Sequence, residues 1–491
     1  MYELAAFWFI LVIGTALSLR SRLFHADGNI PTVPSLIPWV GGVLQFSKDS
    51  MTYLRQCRER YGSVFRIVLA GRTITVIANA KGVNGIFRDR TKAYNTYLPQ
   101  LRSVEAIGGV KQSKNAVRII NEKLIPVVIQ SFSRDGMDKL GPAFNNDLIR
   151  ILNSTANEIR SSPDGKMIPL RPFINESIYH AIAAAAFGPL YPFDTYDDFE
   201  RCDSDFILLI TRIPFFSRKA IRSREQIIRA IADYIKRAWS SQLEGVSPMI
   251  AEVLSVLRDT DLDEMDLAGT LFTFIWGMQA STKRITHWLM VFLLNNPESA
   301  ARIRDEIDQE FRDHFDGDIG CLLSTPFTGL EKRFPLVDSA FKETLRMTTV
   351  QVAMRQATVD TELVNEIGTL PVRKGDTLMP NIYAIHMNEE VYADPKTFRV
   401  DRFLPENRLT HWAFGGGANM CKGRLLAAHV VKTFVVLCFR MFDMELVDAS
   451  GKSAVGNIPP PDTRRSVSIL HPSSKTQLFI RAKLRDLKDG K

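Results

Sequence analysis

Phe414-Gly-Gly-Gly-Ala-Asn-Met-Cys421-Lys-Gly423-Arg424 runs directly into Leu425-Leu-Ala-Ala-His-Val-Val-Lys-Thr-Phe-Val-Val-Leu437. Three consecutive glycines let the backbone come close to something flat, because no side chain intervenes. The stretch that follows is apolar on most faces and reads as a buried helix, about 423–441. Cys421 stands just before that helix. The positive end of the helix dipole favours thiolate over thiol there. A buried thiolate needs a cation to offset its desolvation, and a metal is the natural partner. Taken alone, the segment also fits an ordinary free cysteine buried in a glycine-rich turn.

The rest of the chain narrows the choice. Its 491 residues are 45% hydrophobic and 24% charged, ample for a large core. No linker, repeat or low-complexity block divides it, so one large domain is expected. The net charge is +8. No dense Lys/Arg tract with interleaved aromatics accompanies that charge, which argues against nucleic acid and for an anionic membrane face. The cysteines are Cys57, Cys202, Cys321, Cys421 and Cys438. Their number is odd and no CxxC pair occurs, so neither a disulfide framework nor a structural zinc site is expected.

Leu4 to Leu19 is an almost wholly apolar run, followed by Arg20 and Arg22. Basic residues after the run, with only Glu3 before it, favour a single-pass anchor over a cleaved signal, with the bulk of the chain cytoplasmic. Ile30-Pro-Thr-Val-Pro-Ser-Leu-Ile-Pro38 then forms a stiff spacer. The expected division is 1–22 transmembrane anchor, 23–45 proline-rich spacer and 46–491 catalytic domain.

Residues 50–61 read as a helix. Val64 to Val68 and Thr73 to Ile77 flank Gly71-Arg72 as a hairpin. Helix-spaced apolar positions then cover 114–133, 141–161, 173–187, 223–243, 264–295 and 297–312. Short extended pieces follow at 370–372, 377–379, 467–470 and 477–480. The expected fold class is mainly α with a small β-sheet region (α+β).

The cysteine segment resembles the haem-binding signature of the cytochrome P-450 family. Phe414, Gly417, Cys421 and Gly423 match it, while Asn419 stands where the family has an arginine. The resemblance implies the cytochrome P-450 fold and a haem whose iron takes an axial thiolate from Cys421. Ser339-Ala-Phe-Lys-Glu343-Thr-Leu-Arg346 resembles the family's Glu-x-x-Arg helix, and Phe398-Arg-Val-Asp-Arg402 the segment that adds a second arginine. Glu343, Arg346 and Arg402 would then form a bidentate structural network bracing the cysteine loop. Arg355 matches a family position that binds a haem propionate. His386 matches another, with a satisfied core histidine as the equal alternative. The family's Trp-x-x-x-Arg helix lacks its tryptophan here, which leaves Arg118 as a substitute cation.

Gly277-Met-Gln-Ala-Ser-Thr282 aligns with the family's oxygen-side motif. Ala280 replaces the usual acid and Ser281 the usual threonine. Ser281 and Thr282 are therefore the expected proton-relay hydroxyls, with Gln279 or water assisting, and Phe274, Gly277 and Ala280 the expected lining. These departures resemble the sterol 7α-hydroxylase and prostacyclin synthase branch. That branch holds both hydroxylases and isomerases. The expected function is a monooxygenase of an apolar small molecule, sterol, terpenoid or polyketide-like, in a fungal secondary pathway. A haem-thiolate isomerase or dehydratase and a non-catalytic haem protein are the alternatives. No flavin or nicotinamide signature occurs, so an external NADPH-cytochrome reductase is implied. It would meet Lys422 and Arg424 at the endoplasmic reticulum's cytoplasmic face. Phe206 to Lys219 mixes apolar and basic residues and suits a membrane surface or a core helix.

Overall fold

The structure is a computed structural model. It describes residues 30–486, apart from 36, 38–40, 163, 212–216, 331, 351–353, 408, 410, 467 and 474. The expected anchor at 1–22 and the middle of the 206–219 strip lie outside these residues. Among the described residues no helix is long and apolar enough to cross a membrane.

The proline-rich segment docks on the domain where it is described. Val33 N–H donates to the Arg66 carbonyl and Gly42 N–H to that of Val68, both at 2.8 Å. The expected boundary at 45/46 falls inside a short helix, Val43–Lys48. The helix Ser50–Tyr61 follows, started by the Asp49 carboxylate accepting from Thr52 N–H.

Strands β1 (Val64–Leu69) and β2 (Arg72–Ile77) form the expected antiparallel hairpin. Its two-residue turn puts Ala70 at φ 49° and Gly71 at φ 76°. That left-handed pair matches the natural twist of the strands. β3 is Tyr94–Asn95 and β4 is Lys166–Pro169. β5 (Arg355–Ala357), β6 (Thr361–Asn365), β7 (Gly368–Val372) and β8 (Thr377–Pro380) follow the helical region. β9 (Phe442–Val447) and β10 (Phe479–Leu484) close the chain. The order β1-β2-β8-β5-β3 makes one sheet, β4-β10-β9 a second and β6-β7 a third. The strand expected over 467–470 is a single bridge, Thr349 to Ile469.

Helices dominate the remainder, and one organises them. Glu264–Leu294 starts where Asp263 accepts from Asp266 N–H, and stops before Asn296, which caps the next helix, Pro297–His314. The Pro297 ring cannot continue a helix, so the break is built in. Most of this central helix is buried. It packs against Leu170–Phe187, Arg218–Ser240, Pro335–Thr348 and Arg424–Met441. A helix apolar on most faces is driven to that interior position by burial of its surface. Gly108 and Gly269 let the Tyr97–Ile107 helix touch it. A Cβ on Gly269 would stand 2.1 Å from the Gly108 carbonyl oxygen. The stretch read as one helix over 114–133 is instead Ser113–Ile119, a π turn at Ile120–Leu124, then Ile125–Ser131. Pro126 at the head of the last piece removes one backbone donor, which fits the local change in winding.

Candidate functional site

The cysteine loop is held from both sides. Cys421 N–H donates to the Phe414 carbonyl at 2.9 Å, closing the loop on itself. Gly417 has φ 61°, and a Cβ there would stand 1.8 Å from the Phe87 carbonyl oxygen. One on Gly416 would meet the Phe87 side chain at 2.7 Å. The close approach that these glycines permit is thus to the helix Ala80–Phe87.

Cys421 carries accessible surface, but that surface is cavity wall, and dense protein surrounds the thiol. Burial pushes its pKa up. The Gly423 N–H, Arg424 and Lys422 oppose this and do not win. Without a bound cation the thiol is therefore the favoured form, against the expectation drawn from the helix terminus. The thiolate form therefore needs a bound cation.

The cavity measures about 490 Å³, within the range of small-molecule sites. Phe414, Asn419, Cys421 and Gly423 form one wall. The central helix forms another, with Thr273, Phe274, Gly277, Ser281 and Thr282. Ile120 and Leu124 of the π turn, Val128, Phe132, Leu345 and Ile469 supply apolar lining. A Cβ on Gly277 would meet nothing within 4 Å, so that glycine keeps cavity space open. Ala280 is buried and is not part of the wall.

The hydroxyls differ in what they do. Thr282 Oγ1 donates to the Met278 carbonyl on its own helix, at 3.0 Å. Ser281 Oγ instead pairs with Ser468 Oγ at 2.8 Å. Gln279 does not assist: its Nε2 donates to the Tyr179 carbonyl at 3.1 Å, on the far face of the helix.

Behind the loop, Glu343 receives Arg346 Nε at 2.7 Å and Nη2 at 2.8 Å. Arg402 Nε reaches the same carboxylate at 2.9 Å. Arg346 Nη1 donates to the His386 carbonyl, and Arg402 to the carbonyls of Ala393, Asp394 and Thr397. All three side chains are buried. The expected bidentate network is present, with the guanidinium groups further satisfied by backbone oxygens.

His386 is a core histidine, fully buried. Its Nε2 accepts from Trp412 N–H at 3.1 Å, and its ring stacks on that of Trp412. Burial drives its pKa well down, so it is neutral. Its Nδ1 is buried and has no hydrogen-bond partner among the described residues, and the ring is not part of the cavity wall. Arg118 is likewise not brought to the cavity. It is 55% exposed and bonds Asn115 and Glu122 along its own helix.

Arg355 is not in the cavity wall either, but it is buried beside Phe87, the residue against which Gly416 and Gly417 pack. Its guanidinium is buried, donates to the Met354 carbonyl at 3.1 Å and lies 5.6 Å from the Phe87 ring centroid. Among the described residues no carboxylate pairs with it. Burial lowers its pKa to about 10, which leaves it charged at neutral pH. A buried cation without an anion is costly, so this position calls for one. Asn419 Oδ1 accepts from Thr96 Oγ1 at 3.2 Å, which leaves its amide N–H₂ able to donate. One thiol needing a cation, a buried guanidinium needing an anion and an apolar cavity together fit a haem with its propionates. Sequence reasoning did not find Ser468 or Thr96. A serine or threonine in an irregular segment carries no local signal for a distant partner.

This set of features defines the haem-thiolate class of proteins. A family model described as Cytochrome P450 matches residues 31–457. The chain belongs to that family of haem-thiolate monooxygenases, and haem is its cofactor. Among curated proteins it is 26% identical to Cytochrome P450 7A1 of Oryctolagus cuniculus, over 93% of each chain. It is 25% identical to Cholesterol 7-alpha-monooxygenase of Cricetulus griseus, over 93% of this chain and 94% of that one. It is 24% identical to the human 7-alpha-hydroxycholest-4-en-3-one 12-alpha-hydroxylase, over 85% of this chain and 87% of the relative.

Proposed function

We propose that this protein hydroxylates a sterol or a compound of sterol-like shape. The observation that carries the reading is the apolar cavity with Cys421 in one wall and hydroxyls in another. The relatives' names, a cholesterol 7-alpha-monooxygenase and a 12-alpha-hydroxylase, support sterols over terpenoids or polyketides.

Haem bound through Cys421 would supply the oxygen chemistry, because thiolate ligation pushes electron density onto the iron and favours O–O cleavage. Phe414, Gly417 and Gly423 shape the loop that presents the sulfur. Arg355 and the Asn419 amide are the groups that would hold propionates. Glu343, Arg346 and Arg402 brace the loop from behind and touch no substrate. The apolar walls exclude bulk water, so a proton must come through side chains. Of the hydroxyls at the wall, Thr270, Thr273 and Thr282 spend their hydrogens on the carbonyls of Asp266, Gly269 and Met278, whereas Ser281 pairs with Ser468. Ser281 is therefore the better-placed donor.

Electrons come from outside the chain. On the outer side of the cysteine loop, Lys332, Lys342, Arg424 and Lys432 border a concavity of about 520 Å³, where Asp338 pairs with both Lys342 and Lys432 and leaves the lining net basic. Lys422 is near, with its Nζ on the Ala418 carbonyl. This basic rim supports docking of an acidic reductase dependent on NADPH. The apolar run at 4–19 and the net charge of +8 support an anchored catalytic domain at the endoplasmic reticulum membrane.

The test has two parts. The reduced, carbon-monoxide-bound protein shows a red-shifted Soret band if Cys421 ligates as thiolate. With reductase and cholesterol, hydroxylation consumes NADPH and oxygen in step with product. Turnover that needs neither assigns the protein to the isomerases instead.

A further inference from the structure

Ser468 lies 187 residues from Ser281, yet their hydroxyl oxygens are 2.8 Å apart. The segment that carries it is pinned on three sides. Val350 N–H donates to the Ser468 carbonyl and Leu470 N–H to that of Thr348, each at 2.9 Å. Trp288 Nε1, two turns beyond Ser281 on the central helix, donates to the Leu470 carbonyl at 2.7 Å. Both serines contribute to the cavity wall. Ala280 offers no acid beside them, and the Gln279 amide is committed to Tyr179. Ser281 therefore takes its direction from the C-terminal segment.

We propose that Ser468 is the positioning residue for proton delivery at this site, standing in for the acid that Ala280 lacks. The inference rests on the monooxygenase reading. Two hydroxyls joined by one hydrogen bond keep one O–H over for the cavity. When Ser281 gives up its proton, it takes the proton that Ser468 donates, and Ser468 is refilled from water. Each oxygen gains one hydrogen as it loses one, so no charge stays in the apolar wall. A lone Ser281 hydroxyl would turn to a carbonyl on its own helix, as Thr282 does with Met278.

The partition of electrons from NADPH reads this directly. Oxygen taking two electrons and two protons leaves as hydrogen peroxide, whereas four of each give two waters. Poor proton delivery shifts the outcome toward peroxide. The experiment uses the full-length haem-loaded protein with a reductase, with and without cholesterol, for Ser281→Ala, Ser468→Ala, the double variant and Ser468→Thr. Ser468→Ala is expected to raise peroxide released per NADPH about five-fold, a hydrogen bond's worth. The carbon-monoxide spectrum stays at the thiolate position. The double variant is no worse than Ser281→Ala alone, and Ser468→Thr restores most of the wild-type partition. Thermal melts of the same four proteins give a second cycle, non-additive if the pair is real. A Ser468→Ala partition equal to wild type overturns the proposal, and so does an effect additive with Ser281→Ala or unrescued by threonine. If cholesterol yields no product, the sterol reading fails alone, because the peroxide partition and the melts need no substrate.

Discussion

Two cavities of similar size flank the central helix and share the same pair of chain segments. The first, about 490 Å³, takes residues between Thr270 and Ile285 from the helix and Ser468 and Ile469 from the C-terminal segment. The second, about 520 Å³, takes His287 and Trp288 from the helix and Pro472 to Leu478 from that segment. Volume does not tell them apart, but chemistry does. The second is lined by Arg171, Glu176, Asp197, Glu200 and Lys475. Asn175 donates to Glu200 at 2.8 Å, and Lys283 forms an ion pair with the same carboxylate. Burial and the neighbouring Asp197 and Glu200 raise the pKa of Glu176. The first cavity opposes a single thiol to apolar walls that carry a few hydroxyls and, among the described residues, no charged side chain, so each polar group there acts in a low-dielectric surround. The elements that face the central helix, rather than the helix itself, make one cavity apolar and the other charged.

The comparison predicts how each side fails. Cys421→Ala has the largest effect: the red-shifted Soret band disappears and turnover falls to background. Melting should show the folded chain persisting, since among the described residues the thiol is hydrogen-bonded to no other side chain and only to the backbone of Gly423.

Glu343→Gln comes next. It removes the charge that two buried arginines share, for a loss of about 3–5 kcal/mol measured by denaturant unfolding. An undiminished midpoint would show that the backbone carbonyls suffice for Arg346 and Arg402.

Acid acts through buried histidines. Burial depresses His287 and His471 to about 3 and His411 and His429 to about 4. Each lies below its unfolded value near 6.5. Their stabilisation is therefore complete above pH 6.5 and is lost as pH falls toward 4. The loss is of order 3 kcal/mol for a group such as His429. Stability measured from pH 7 to 4 should fall steeply, and His287→Gln should flatten part of that slope.

Lys283→Met removes the partner of Glu200 in the polar cavity, for about 2 kcal/mol of stability. It should leave the carbon-monoxide spectrum and the affinity for cholesterol unchanged, as read by spectral titration. A change in either would show that the two cavities are coupled. The smallest effect on stability is that of Gly277→Leu. Its side chain enters open space, and replacing a mid-helix glycine gains up to about 1 kcal/mol. Cholesterol affinity should nonetheless fall, because the cavity loses volume.

The hairpin at 64–77, the central helix and the cysteine helix were legible because each is written in a local pattern: alternation, helical spacing, glycine turns. Glu343 and Arg346 were legible for the same reason, three apart on one helix face. Which way a residue faces was harder to read. Gln279 and Ser281 are neighbours, yet one turns to Tyr179 and the other to Ser468. Arg118 carried a suitable charge and proved to lie on an outer face. His386 matched a ligand position and proved to lie in the core, its Nε2 on Trp412 and no part of the cavity wall.

The order of residues alone determined that one cysteine enters a buried helix behind a glycine-rich loop, that an acid and an arginine share a helix face, and that the usual oxygen-side acid is missing. Only the packed structure decided that burial raises the pKa of Cys421, that Arg355 meets no carboxylate among the described residues, and that Ser468 meets Ser281. The first group depends on neighbours in the chain. The second depends on what surrounds each group in space, since desolvation and hydrogen bonding are set by distance and not by sequence separation.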